Sequence, residues 1–324
     1  MSAWIDLDKM LIERTQEARK SMQSIDSAAR REKMTAQSVC AVIVTYHPSA
    51  RMIENVTNVL HQVQGLVVVD NGSDPCELDP LRTASLTIGF HLIENGDNLG
   101  VAEALNQGVR WAKSNGYPWV ILFDQDSKIT DGFIAKIIAA WEAHSERDRV
   151  ASILPRYVDP ETNTAMRIQR AGDGSPVTTL TSGTLMPTWI FDKIGWFASE
   201  YFIDLVDWEY GLRARAAGYL IAEAPQAILL HRPGDLITAR VSGRTFYRTS
   251  HNAVRRYYMT RNFVVFFRQY FFKFPRWVSG ITYRQVKDTI ACFLTERSRS
   301  RKFRNFLLGV SDGLTGKMGR RDGL

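Results

Sequence analysis

The 324 residues carry 41 Lys and Arg against 34 Asp and Glu, a net charge of +7, and 45% are hydrophobic, which excludes disorder throughout and suits one large globular domain with an appendage. The charge is uneven: residues 1–243 hold 23 basic and 30 acidic side chains, net −7, whereas residues 244–324 hold 18 and 4, net +14, together with 16 of the 35 aromatic residues. No uncharged apolar run reaches the ~18 residues of a membrane-spanning helix, and Asp6, Asp8, Glu13 and Glu17 stand where a signal peptide needs its apolar core, so a cytoplasmic protein is expected.

Residues 1–36 read as a polar helical extension. Val39–Thr45 and Leu66–Asp70 are β-branched, apolar runs expected to be buried parallel strands, and Ala50–Gln64 between them has helical spacing at Ile53, Val56, Val59, Leu60 and Val63. A third strand-like run, Leu86–Glu94, precedes a helix over Val101–Asn115 with Gly116 past its end, then a strand over Trp119–Phe123. This βαβαβ order predicts an α/β fold, a doubly wound and mostly parallel sheet with helices on both faces and its site outside the carboxyl ends of the strands. Downstream, a helix is expected near Asp131–His144, a strand over Val177–Met186, a helix over Leu205–Ala217, short strands over Tyr219–Glu223 and Ala227–His231, and a mobile loop over Arg232–Ser250. Residues 37–243 form the expected main domain, and residues 244–324 a basic, aromatic, helical region. Cys40, Cys76 and Cys292 have no metal-ligand spacing and agree with a reducing compartment.

Polar residues gather at the expected strand ends: Thr45, Asp70, Asn98 with Gly100, and Asp124 with Asp126. No GxGxxG or GxxxxGK[ST] cradle is present, so a nucleotide site would rest on carboxylates. Asp124-Gln125-Asp126 after an apolar strand can hold Mg²⁺ or Mn²⁺ through oxygen ligands, or can simply be a turn that caps backbone N–H groups. Asp207 is either a first-turn carboxylate, with Asp204 as the helix N-cap, or a general base for a substrate hydroxyl. His231 closes a strand and is a surface residue or a ligand. Arg255, Arg256 and Arg261, interleaved with Tyr257 and Tyr258, form either a diphosphate clamp or a solvated helical face.

The series Thr45-Tyr46, Asp70-Asn71-Gly72-Ser73, Asn98-Leu99-Gly100, Asp124-Gln125-Asp126 and Asp207-Trp208-Glu209 resembles glycosyltransferase family 2, with its GT-A fold. Within it, the chain is similar to bacterial rhamnosyltransferases that use dTDP-L-rhamnose, through Asp124-Gln125-Asp126-Ser127, Phe202–Arg213, Arg256–Asn262 and Ser311–Lys317. The chain departs from the broader family where Val206 stands in place of the acid preceding Asp207. The resemblance implies an inverting transfer of rhamnose to a saccharide, lipid-linked saccharide or glycolipid acceptor. In it Thr45 and Asp70 hold thymine and ribose, Asn98 and Gly100 line the nucleotide cleft, and Asp124 contacts the ribose. Asp126 binds the Mg²⁺ or Mn²⁺ cofactor with His231 in its shell, Asp207 is the catalytic base, and Arg256 and Arg261 face the diphosphate or a membrane surface.

The basic aromatic stretch 263–277 has the composition of an interfacial helix on anionic lipid, of core packing, or of a homo-oligomer interface. Two other readings compete: another donor, such as a UDP-hexose, UDP-galactofuranose or GDP-sugar, and a nucleic-acid-binding module through the +14 region. The second leaves the acidic strand ends without a purpose, so no nucleic-acid partner is expected.

Overall fold

A computed structural model describes residues 35, 38–49, 51–172, 174–231, 236–241, 244–249, 252–295 and 299–324. The expected extension over residues 1–36 lies, apart from Thr35, outside them. The first strand, β1 (Val39–Thr45), is apolar on both faces and buried except for the partly buried Val44, as suits a central parallel strand. It pairs in parallel with β2 (Gly65–Asp70) on one side and β4 (Trp119–Asp124) on the other, and β3 (His91–Glu94) continues the parallel run beyond β2. Helices α1 (Arg51–Leu60), α2 (Pro75–Ala84) and α3 (Val101–Ser114) connect these strands.

Past β4 the sheet becomes mixed. The short β5 (Lys128–Ile129) precedes α4 (Phe133–Glu142), and β6 (Val150–Val158), β7 (Thr184–Pro187) and β8 (Leu220–Leu230) complete eight strands in the order β3-β2-β1-β4-β7-β6-β8-β5. β7 is antiparallel to β4, and β8 is parallel to β6. The strand expected over Val177–Met186 is confined to the residues after Gly183, because Thr178 and Thr179 lie against the backbone at Gly211 instead of in the sheet. The two strands expected between Tyr219 and His231 are one strand whose register shifts opposite Pro155 and Arg156, so Pro225 makes a bulge and not a break.

Two other expectations fail for physical reasons. Leu86–Gly89 is helical, so β3 begins only at His91; α2 accommodates Pro75 at its first position and extends past Pro80 into that helical turn. The loop expected over Arg232–Ser250 is largely an antiparallel hairpin of β9 (Leu236–Val241) and β10 (Arg244–Thr249).

After α5 (Ile190–Ile194) and α6 (Val206–Ala216), the basic region forms α7 (Ala253–Tyr270), α8 (Pro275–Thr295) and α9 (Arg299–Thr315). α9 lies close along α7 because Gly309 and Gly313 sit against the carbonyl oxygens of Tyr257 and Arg261, where a Cβ would come within 2.8 Å. The aromatic stretch 263–277 is mostly interior rather than an open membrane face. Phe266 and Tyr270 are buried in a cluster with Val177, Leu212 and Val278, and Phe267, Phe271, Phe274 and Trp277 pack against it. Each large side chain so enclosed contributes about 1.5–3 kcal/mol. Phe272, 88% exposed, is the exception. No helix among the described residues is long and apolar enough to cross a membrane.

Candidate active site

The parallel strands deliver their polar ends to one edge. Thr45 is level with Asp70, and Val44 with Asp124. Thr45 Oγ1 donates to Gln125 Oε1 at 2.7 Å, the Tyr46 amide donates to the same oxygen at 2.9 Å, and Asn55 Nδ2 donates to the Gln125 carbonyl at 3.1 Å. Thr45 is therefore buried beneath the Asp124–Asp126 turn and fixes it, while Ser127 N closes that turn onto the Asp124 carbonyl at 3.1 Å.

Asp70 is also enclosed. Its Oδ2 accepts from the amides of Gly72 and Ser73 at 3.0 and 2.9 Å, and its Oδ1 accepts from Ser73 Oγ at 2.5 Å. The carboxylate shapes the turn after β2. Asn98 Oδ1 accepts from Asn71 Nδ2 and from the Gly100 amide, both at 3.0 Å, so these two sequence candidates belong to one braced loop. Gly100 is required there: its φ is +87°, and a Cβ would lie 2.6 Å from the Phe202 carbonyl oxygen.

A cleft of about 470 Å³ opens beside this edge, within the size range of small-molecule sites. Asp124, Thr181, Asp204, Asp207, Arg255 and Gln285 supply its polar lining, and Ile203, Leu205, Trp208 and Met259 are among its apolar walls. Burial, reinforced by the negative charge of Asp126, pushes the Asp124 carboxyl above the usual carboxylate range, and His231 and Arg255 oppose that rise. Burial likewise pushes Asp207 up to about 7, against the hydrogen bond from the Trp208 amide and with a contribution from Asp124. The cleft thus gathers two proton-avid carboxyls in the electrostatic reach of one another.

Asp126 is exposed. His231 follows the last residue of β8, its amide donating to the Val158 carbonyl at 3.0 Å and its ring standing edge-on to Tyr157. Asp124, Asp126 and His231 do not form a tight three-ligand cage; among the described residues that arrangement occurs at His47, Asp74 and Glu77.

Ahead of α6 the backbone takes positive φ at Phe202, Asp204 and Leu205, of 64°, 66° and 63°, Phe202 being the centre of a γ-turn closed by the Ile203 amide on the Tyr201 carbonyl at 2.7 Å. Such conformations at non-glycine residues cost on the order of 1 kcal/mol each and need support from their surroundings. Asp204 does not cap α6; Leu205 holds that position, and the Asp204 carboxylate pairs with Arg255 at 2.9 Å. Val206 begins α6 facing the core, where an acid would be costly.

The remaining arginine candidates do not line the cleft. Arg261 is fully buried: Nη2 donates to the carbonyls of Glu200 and Tyr201 at 3.2 and 3.0 Å, Nε donates to Asn262 Oδ1 at 3.0 Å, and Nη1 donates to the Gly319 carbonyl. Burial lowers its proton affinity, and its guanidinium lies over the Tyr258 ring. Its fork braces the loop before α6. Arg256, 3% exposed, is enclosed as well. Arg255 is the arginine that reaches the site; its spacing to Met259, one helical turn on, was the available signal. Gln285 and Thr181 carried no such signal, since the elements that bring them in are distant in sequence.

The same loop is tied to the far end of the sequence. The Gly319 amide donates to the Glu200 carbonyl at 2.7 Å, and Arg320 pairs with Asp97 at 2.6 Å beside Asn98.

Residues 40–198 match the family model described as Glycosyl transferase family 2. The chain is 28% identical over 298 residues to the dTDP-rhamnosyl transferase RfbF of Shigella flexneri, covering 87% of this chain and 97% of that protein. It is also similar to the mannosyltransferase PcManGT of Pyrobaculum calidifontis, solved with GDP-Man and Mn²⁺, with a TM-score of 0.51 and 13% identity over 86% of this chain and 88% of that one. At that identity the likeness concerns the fold.

Proposed function

Because the chain is a glycosyltransferase whose residues 40–198 form a family 2 domain of GT-A fold, we propose that it is an inverting enzyme that moves L-rhamnose from dTDP-L-rhamnose to a hydroxyl of a saccharide, lipid-linked saccharide or glycolipid. The observation that carries the proposal is the meeting of Asp124, Asp207 and Arg255 in one cleft at the strand ends. The donor assignment leans on the similarity to a dTDP-rhamnosyl transferase.

In this reading Asp207 accepts the proton of the acceptor hydroxyl. The oxygen forms its bond to the anomeric carbon on the face opposite the diphosphate as the bond from that carbon to the phosphate oxygen breaks. Burial raises the basicity of Asp207 while leaving part of it ionised near neutrality, which suits a general base. Arg255 is released from Asp204 to meet the diphosphate, and a guanidinium fork matches phosphate oxygens. Thr45 and Asp70 act by holding the turns that shape the nucleotide side, with Asn98 and Gly100 forming its wall.

A divalent ion fits the residues present. Burial first, and then the negative charge of Asp126, raise Asp124; a dication would offset both, and the oxygen donors with His231 suit Mg²⁺ or Mn²⁺. When bound, the ion would supply charge stabilisation to the leaving diphosphate. Residues 37–243 are proposed as the catalytic domain and 244–324, which open with β10 of the hairpin and continue as helices, as the region that completes it, acting in the cytoplasm.

The test is a panel of nucleotide sugars incubated with Mg²⁺ or Mn²⁺, reading nucleotide release and transfer to acceptor. Turnover of dTDP-L-rhamnose is expected; an inert dTDP-L-rhamnose with turnover of a UDP- or GDP-sugar overturns the donor assignment.

A further inference from the structure

The outer face of α8 is both apolar and basic. Tyr283, Val286 and Ile290 are 72%, 52% and 54% exposed at i, i+3 and i+7, the spacing that places them on one helical face. Lys287 lies within the same stripe and Arg284 beside it, both exposed. Isolated exposed apolar residues are ordinary, but these are not isolated: of the ten large hydrophobics exposed among the described residues, seven lie between residues 272 and 314. On α9, Phe303, Leu307 and Leu314 repeat the pattern, and Phe303 meets Phe293 of α8 through ring contact.

We propose that this outer face of α8, continued onto α9, docks on the surface of an anionic lipid bilayer. Charge selects that occupant. Among the described residues the exposed charges of α8 and α9 are Arg276, Arg284, Lys287, Arg299, Arg301 and Arg304 with Asp288 as the exposed acid, a basic surface that negatively charged headgroups attract and that a second copy of the same face would repel. Composition separates lipid from nucleic acid: the stripe on α8 is two parts aliphatic to one part aromatic, which favours insertion among acyl chains over base stacking. The helix, 21 residues and about 30 Å long, lies on the bilayer and does not cross it.

The opposite side of α8 faces the protein. Val278 and Ile281 are buried, Trp277 packs into the aromatic cluster, and Gln285, between Arg284 and Val286, lines the cleft that holds Asp124 and Asp207. One helix diameter, about 10–12 Å, therefore separates the docked surface from the cleft wall. Bilayer binding stands independently of the transfer reaction; delivery of a lipid-borne acceptor to the cleft rests on that reaction being as proposed.

The experiment is flotation of the full chain with vesicles of phosphatidylcholine alone and of phosphatidylcholine with phosphatidylglycerol, at physiological ionic strength. Flotation is expected only with phosphatidylglycerol. The variant Val286→Ser/Ile290→Ser, and separately Arg284→Glu/Lys287→Glu, are each expected to lower the bound fraction about tenfold or more. Melting temperature and donor hydrolysis should remain at the parent level, which separates loss of docking from loss of fold or activity. Absence of flotation by the parent, or equal flotation by both variants, overturns the proposal. So does a dimer in solution that these variants dissociate, which would assign the face to a second copy, or retention by an oligonucleotide with none by vesicles.

Discussion

Asn262 Nδ2 donates to the carbonyl oxygen of Asp204 at 2.9 Å, and to those of Ile203 and Tyr201 at 2.6 and 2.9 Å. One buried amide on α7 thus gathers the carbonyls of the positive-φ turn that leads into Asp207. Asn262→Ala removes the donor and leaves those carbonyls enclosed, a change expected to cost about 2–4 kcal/mol. Thermal melts should record that loss, and steady-state kinetics should show kcat falling at least about tenfold, beyond any rise in donor KM.

Asp207→Asn retains shape but cannot accept a proton at the reacting hydroxyl. Transfer should fall by about 10²–10⁴-fold while dTDP affinity, read by calorimetry, stays within a few-fold of the parent. A variant with near-parental turnover would remove Asp207 from the role of base.

The pH dependence follows from the same residue. Burial holds metal-free Asp207 at about 7, and a dication beside Asp124 would lower it, so kcat/KM should climb with pH to a plateau reached below about 7, as the ionised form becomes the major one. Stability runs the other way. The folded state holds the proton more tightly than the unfolded chain, whose carboxyl titrates near 3.8, so the contribution of protonated Asp207 is present below 3.8 and lost as the pH rises through about 7. Metal-free melts should show Asp207→Asn gaining on the parent above neutrality, by on the order of 1–3 kcal/mol once partial solvent access is allowed for.

Arg255 and Arg261 should separate kinetically. Arg255→Ala is expected to raise donor KM about tenfold to hundredfold with a small change in melting, since this side chain is 46% exposed and its ion pair is partly solvated. Arg261→Ala removes a buried fork and should lower stability by about 2–4 kcal/mol. A donor KM effect from Arg261→Ala at unchanged stability would return that residue to the diphosphate.

Chelation should abolish transfer, with recovery on adding Mg²⁺ or Mn²⁺. Asp126→Asn is expected to raise the metal concentration for half-maximal rate about tenfold or more. Metal-independent turnover in the parent would set aside the ion.

What could be read from the sequence was whatever depends on local pattern. β1, β2 and β4 are continuous apolar runs, and their polar successors stand at the strand ends because a parallel sheet delivers them there. α2 has no clear signature in the sequence: Pro75 is at home at the first position of a helix, but Pro80 stands inside it, where proline ordinarily argues against a helix. The arginines show the limit more sharply. Arg255, Arg256 and Arg261 share a helix, and only the loop packed against it, held through Arg261 and Asn262, decides which of them meets solvent and which meets carbonyls. Asp204 reads as a helix cap until Arg255, 51 residues away, takes its carboxylate.

The contacts of Gly319 with Glu200 and of Arg320 with Asp97, the latter spanning 223 positions, bear on the order of assembly. The parallel strands β1, β2 and β4 form from neighbouring segments, whereas the turn before α6 acquires its full support only when residues more than a hundred positions later have docked. Long-range closures of this kind come late in folding. In refolding from denaturant, sheet and helix signals should therefore recover before nucleotide turnover does, and an intermediate with a formed sheet should be catalytically silent.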